Sequence, residues 1–191
     1  MEADWEFEVG PDEAGVAAPV IDARWPGFVD LERAPEEAWH LPEAAQLPAL
    51  AVALAKLNAA ASPVWTSKCD FWPRLEAAEF DADELDAPPG CAAHAMGCYI
   101  DLLPRNGRQW ALPELAAAEC KRVCGLLRAV PLVCCRVDLV IRRAFITAER
   151  MDLGITAYLT SCGASSTEAV RTLEAVLAAF SRCACVQSKI E

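Results

Sequence analysis

The stretch that decides the fold is CKRVCGLLRAVPLVCCRVDLVIRRAFI, residues 120–146, in which one pattern of apolar residues replaces another. Before Pro131, apolar residues recur every three or four positions, as they do along one face of a helix. After Pro131, apolar and polar residues alternate, as they do in a strand that buries one side. One face of this strand carries Val133, Cys135, Val137, Leu139 and Ile141, and the other carries Cys134, Arg136, Asp138, Val140 and Arg142.

The same two patterns recur on both sides of this stretch. Helices are predicted at residues 41–60, 113–130 and 166–182, and strands at 64–72, 97–105, 132–146 and 153–162, with a short or edge strand within 19–29. Short connections make neighbouring strands antiparallel. The order (β)αββαββα then predicts a two-layer α+β sandwich, with a mostly antiparallel sheet of four or five strands and about three helices on one face. If residues 19–29 form a strand, the first six elements follow the ferredoxin-like order βαββαβ.

The length of 191 residues fits one domain, which we expect to span residues 19–185. Residues 1–18 are acidic and include two glycines and a proline, so they predict a loose N-terminal arm. Residues 73–94 are acidic and contain Pro-Pro-Gly, which indicates a loop inserted between two strands. Residues 186–191 are expected to form a C-terminal tail.

The charge is distributed unevenly along the chain. Residues 1–90 carry 19 acidic and 5 basic side chains, whereas residues 91–191 carry 9 and 12, for a net charge of −11. An acidic protein of this kind is repelled by phosphate backbones, which disfavours nucleic acid as a partner. The first residues lack a secretory signal pattern, and charges break every apolar stretch before the ~18 residues that a membrane span needs. These features predict a cytoplasmic protein without a membrane partner.

Ten cysteines raise the question of metal or redox chemistry. Cys120 and Cys124 lie one helical turn apart, and two thiolates at that spacing could supply half of a structural zinc site. However, both residues follow the apolar stripe of their helix, where free cysteine acts as a small hydrophobic residue. Core packing is therefore the favoured interpretation, zinc at these two residues is the alternative, and no cofactor is predicted.

Polar side chains occupy the strand positions that alternate away from the helices. If helices cover only one side of the sheet, a single open face collects Lys68, Asp70, Tyr99, Asp101, Arg136, Asp138, Arg142 and Tyr158. The simplest interpretation is a solvated face with cross-strand ion pairs. The functional interpretation is a binding surface, on which Asp70, Asp101 and Asp138 would bind Mg²⁺ or a substrate if they converge.

No nucleotide-binding glycine loop or nucleophile turn occurs in the sequence, and it contains only two histidines. All six tryptophans lie within residues 1–110, and exposed tryptophans commonly anchor interfaces. The sequence therefore favours a module that binds a protein partner or associates with itself as a homo-oligomer. The alternative is a small-molecule or divalent-metal-dependent enzyme that uses the open face.

Overall fold

The computed structural model describes residues 1–11, 15–76, 78–147 and 149–186, so most of the predicted tail lies outside it. The strands within these ranges are β1 Glu2–Glu8, β2 Ile21–Asp22, β3 Val64–Trp72, β4 His94–Pro104, β5 Cys135–Thr147 and β6 Arg150–Gly163. A 3-10 helix spans Pro35–His40, and the α-helices are α1 Pro42–Gln46, α2 Pro48–Asn58, α3 Pro113–Arg128 and α4 Ser166–Ala184. The predicted α+β class is confirmed.

The helix starts follow from local chemistry. Proline occupies the first position of α1, α2 and α3, where its missing N–H removes no helical hydrogen bond. The helical segment predicted at residues 41–60 is divided into two helices, because Pro48 ends α1 and begins α2. At α4 the Ser165 hydroxyl accepts a hydrogen bond from the backbone N–H of Glu168, as in the capping box that the sequence Ser165 to Glu168 matches.

The sheet has the strand order β1-β5-β6-β4-β3, with β2 placed beside β5 as well. Strands β3, β4, β6 and β5 pair antiparallel, whereas β1 and β2 run parallel to β5. The prediction of a mostly antiparallel sheet with four or five strands was therefore wrong: the described sheet is mixed and has six strands. The ferredoxin-like arrangement is not formed either, because β6 lies between β4 and β5 and β2 is only two residues long.

Strand β1 corrects the prediction that residues 1–18 form a loose arm. It pairs with β5 from Glu2 opposite Arg136 to Glu8 opposite Arg142. Its other contacts are with α3, where the Cys124 thiol donates to the Asp4 carbonyl oxygen at 3.4 Å. The local alternation of acidic and apolar residues in this segment is a strand signal, but its partner lies more than a hundred residues away in the sequence.

The main hydrophobic core lies between one face of the sheet and helices α2, α3 and α4. Cys120 and Cys124 belong to it, with relative exposures of 0% and 1%. Burial raises the pKa of both thiols, that of Cys124 to about 11, so both are neutral side chains of the core at pH 7. This burial supports core packing. None of the described helices is long and apolar enough to cross a membrane.

A small apolar cluster, separate from the main core, packs the loop predicted at residues 73–94 against the sheet. Leu85 is buried against Ala95 and Cys162, and its carbonyl oxygen accepts a hydrogen bond from the Cys135 backbone N–H at 3.1 Å. The Leu75 N–H also donates to the Ala95 carbonyl oxygen at 2.9 Å. The described part of the loop is thus fastened to the end of the sheet at two points.

We predict that Cys120→Ser lowers the free energy of unfolding by roughly 1–3 kcal/mol, because it buries a hydroxyl without a partner in an apolar site. Cys120→Ala should cost less, since it removes volume but adds no polar group. Denaturant unfolding measures both, with Cys91→Ser as a control at a half-buried position. Equal stability of the wild type and Cys120→Ser would contradict the core assignment.

Candidate functional site

The open face is the side of the sheet opposite α2, α3 and α4. Strand registers bring Asp70, Tyr99, Tyr158, Asp138 and Asp4 into one row across five strands. The polar and aromatic residues of this face include Glu2, Asp4, Glu6 and Glu8 of β1, Arg136, Asp138 and Arg142 of β5, Thr156, Tyr158 and Thr160 of β6, Tyr99 and Asp101 of β4, and Lys68, Asp70 and Trp72 of β3. All eight site residues proposed from the sequence lie on it.

One end of the open face is covered by the chain itself. A shift in the β3–β4 register between Thr66 and Cys69 marks a bulge, and it places Trp65 opposite Leu103 on this face. The uninterrupted alternation predicted for residues 64–72 was wrong at this point. Trp65 and Leu103 form a small apolar cluster with Ile21, Ala23 and Ala144. At the opposite end Leu85 of the 73–94 loop packs on Ala95 and Cys162, so the accessible part of the face is limited to its middle.

Three aromatic side chains form a row on the accessible part. The ring of Trp72 stacks at 13° to that of Tyr158 with centroids 6.4 Å apart, and Tyr99 lies 5.6 Å from Trp72 and 6.0 Å from Tyr158. The Trp72 ring covers Gly97, since a Cβ atom placed there would lie 3.4 Å from the ring.

Arg142 is the centre of the polar network. Its guanidinium donates to Glu8 and, at 2.9 Å, to the Tyr158 hydroxyl, and it lies 5.5 Å from the centroid of that ring. It also lies within 3.3 Å of the Thr156 hydroxyl, which donates to Asp101 at 2.6 Å. Charged and polar groups of four strands are therefore joined through one side chain.

Arg136 organises the other end of the face. Its Nε donates to both carboxylate oxygens of Asp138, at 2.7 and 2.9 Å, and its Nη1 lies 3.5 Å from Glu84 of the acidic loop. Burial raises the pKa of the Asp138 carboxyl, while the hydrogen bond and charge of Arg136 oppose that shift. The loop and the sheet are thus linked by an ion pair at the margin of the face.

The three aspartates share the face but do not converge on a metal site. Asp101 binds Thr156, Asp138 binds Arg136, and Asp70 accepts a hydrogen bond from the Phe71 backbone N–H. Strand β6 separates β4 from β5, so Asp101 and Asp138 lie on strands that are not neighbours. Among the described residues, no group of three or more His, Cys, Asp or Glu side chains is placed to hold a metal ion.

Sequence reasoning missed several members of the face. The four acidic residues of β1 were assigned to a loose arm, although their alternation with Ala3, Trp5 and Phe7 is a strand pattern. Trp72 was placed on the correct side but not recognised as part of an aromatic row, because its neighbours depend on the β3–β4 register. Glu84 had no local signal beyond the acidity of its loop.

Comparison of the chain with protein-family models, with curated proteins and with solved structures gives no match. Fold and site together define an α+β protein whose mixed sheet presents an acidic, aromatic face. Its function is therefore inferred from the chemistry of that face.

We predict that Asp101→Asn is more stable than the wild type at pH 7. Burial raises the pKa of Asp101 above its ordinary value, and the Thr156 hydrogen bond and the charges of Arg142 and Lys68 only partly oppose this. A carboxyl with a raised folded-state pKa contributes stability at low pH that is lost as the pH rises through that pKa. The advantage of the variant should therefore shrink as the pH falls toward 4, as followed by denaturant unfolding.

Thr156→Val provides the matched control for this titration. Removing the hydroxyl removes the hydrogen bond that favours the charged form of Asp101, so its destabilising effect should be larger at pH 7 than at pH 4. In the Asp101→Asn background this pH dependence should disappear. A pH-independent gain from Asp101→Asn would show that ionisation of Asp101 is not its cause.

Proposed function

We propose that this protein is a protein-interaction module that binds a positively charged segment of a partner protein on the open face. The observation that carries this proposal is the surplus of acidic over basic groups on and beside the face. Eight carboxylates stand against four basic side chains: Glu2, Asp4, Glu6, Glu8, Asp70, Glu84, Asp101 and Asp138 against Lys68, Arg128, Arg136 and Arg142.

The four basic side chains are already engaged within the chain, and Arg128 lies 3.7 Å from Asp4. Arg142 pairs with Glu8, Arg136 pairs with Asp138 and Glu84, and the Lys68 ammonium lies 5.6 Å from the Trp25 ring. By contrast, Glu2, Glu6 and Asp70 form no ion pair with any side chain in the described ranges. These carboxylates remain available to a cationic partner, and their field favours its approach.

The aromatic row adds a second element suited to the same partner. Trp72, Tyr99 and Tyr158 are each partly exposed, and they stand beside the carboxylates of Asp70 and Asp138. Arginine and lysine cations are attracted to aromatic ring faces, most strongly to that of tryptophan. Aromatic residues are also enriched at the centres of interfaces. An arginine-containing segment would satisfy both the rings and the carboxylates.

The charge of the face distinguishes between the two kinds of partner considered from the sequence. A second copy of the chain that docked through the same face would bring its own surplus of carboxylates. Like charges placed opposite each other across an interface cost free energy. A different, basic partner is therefore favoured over self-association through this face.

We predict that a fluorescently labelled arginine–glycine repeat peptide binds the protein saturably, and that added salt weakens binding. The matching glutamate–glycine peptide should not bind. Glu6→Lys combined with Asp70→Lys should weaken binding by about tenfold or more, because charge pairs at an interface become repulsive. Trp72→Ala should cost about 0.5–2 kcal/mol through the lost ring. Fluorescence anisotropy measures each affinity.

The control must distinguish the effect of the open face on peptide binding from the effect of the chain's net charge. Glu36→Lys combined with Glu174→Lys changes the net charge equally at exposed positions away from the open face. This pair should weaken binding far less than the Glu6 and Asp70 pair. If both pairs weaken binding equally, the peptide responds only to net charge and the open face is not its site.

A further inference from the structure

A cavity of about 640 Å³ lies away from the open face, between the α2–β3 connection, the β4–α3 connection and helix α3. Its size is within the range of small-molecule sites. The wall is largely apolar and includes Pro63, Trp110, Leu115 and Val186. Leu115 and Val186 are 44% and 51% exposed, so apolar surface at this site is accessible to solvent. None of the lining residues belongs to the open face.

One wall of the cavity is held in place by Arg105. Its guanidinium donates to the backbone carbonyl oxygens of Ser62 at 3.1 Å and Asn58 at 3.0 Å, and to the Glu32 carboxylate at 2.8 Å. These contacts connect the end of β4 to the α2–β3 connection. The two connections that form the cavity are therefore fixed to each other, and a ligand would enter a largely preformed site.

Two side chains of the cavity wall, Arg108 and Trp110, carry hydrogen-bond donors. The Trp110 side chain is 2% exposed, and its buried indole N–H has no hydrogen-bond partner in the described part of the chain. A buried donor without an acceptor is uncommon and costly. Arg108 is exposed, and its guanidinium forms no ion pair within the same described ranges. Both groups can only donate hydrogen bonds.

Glu119 is the one carboxylate among the described residues of the wall, and it does not cancel the positive charge of Arg108. Glu119 accepts hydrogen bonds from Nε and Nη2 of Arg122 at 2.9 and 2.6 Å, so a neighbouring cation offsets its charge. Arg108 then leaves the described wall with one positive charge beside an apolar surface. We propose that this cavity binds a small carboxylate with an apolar chain, the class to which medium-chain fatty acids belong.

In this proposal the parts of the ligand match the parts of the wall. The hydrocarbon chain packs on Pro63, Leu115 and Val186 and removes exposed apolar surface from water. The carboxylate pairs with Arg108, and an ion-assisted hydrogen bond to arginine is among the stronger polar contacts. This site is independent of the proposed function, since it shares no residue with the open face.

The test titrates the full chain with octanoate, and separately with octanol and octylamine, which keep the apolar chain but remove or reverse the charge. Calorimetry gives the affinities. The Trp110 indole signal in a ¹H–¹⁵N spectrum reports on the cavity itself, and its loss in Trp110→Phe assigns it. We expect saturable octanoate binding that shifts this signal, with weaker binding of octanol and no binding of octylamine.

Two variants locate the site. Arg108→Glu should weaken octanoate binding by about tenfold or more, because it replaces an attractive charge with a repulsive one. Leu115→Trp should abolish binding by filling the cavity. The control Arg143→Glu makes the same change of charge at an exposed position outside the cavity and should leave binding unchanged.

Three results would overturn the proposal: octanoate binding no tighter than that of octylamine, unchanged octanoate affinity in Arg108→Glu, or no shift of the Trp110 signal at saturation. Circular dichroism confirms that each variant is folded. If Leu115→Trp does not fold, Arg108→Glu decides the question, because residue 108 is exposed and its change does not disturb the core.

Discussion

The contact between Arg142 and Glu8 is the interaction on which the open face depends. It joins residues 134 positions apart and ties the first strand to the polar network of the sheet. The same guanidinium reaches Tyr158 and Thr156, and Thr156 in turn holds Asp101. A surface built from four strands is thus ordered through one half-buried cation. The free acidic groups of β1 are presented at its margin as a consequence.

The fold could be predicted where the signal was local. Strand β3 and helix α4 were placed within two residues of their ends, because a strict alternation and a capping box mark them in the sequence. Strand β1 was missed because a short acidic segment becomes a strand only through its distant parallel partner β5. The bulge in β3 was missed because alternation gives no sign of an inserted residue.

The candidate site, too, could be predicted only where the signal was local. Alternation within each strand predicts which residues share a face, and it placed all eight proposed residues on the open face. It does not predict register between strands, and register decides that Asp101 and Asp138 are separated by β6 while Tyr99 and Tyr158 are direct neighbours. The cavity beside α3 could not be predicted at all, because two connections and a helix form it only after they pack together.

The bulge in β3 also bears on how molecules of this protein behave toward one another. Strand β3 lies at one margin of the sheet, where unpaired backbone groups can template the addition of a strand from another chain. At the bulge the Ser67 hydroxyl lies 3.0 Å from the carbonyl oxygens of Asp22 and Ala23, and the exposed Lys68 follows directly. Irregular backbone and an edge lysine are common protections against such growth. The bulge between Thr66 and Cys69 that places Trp65 on the open face therefore also disfavours the addition of a strand from another chain to β3.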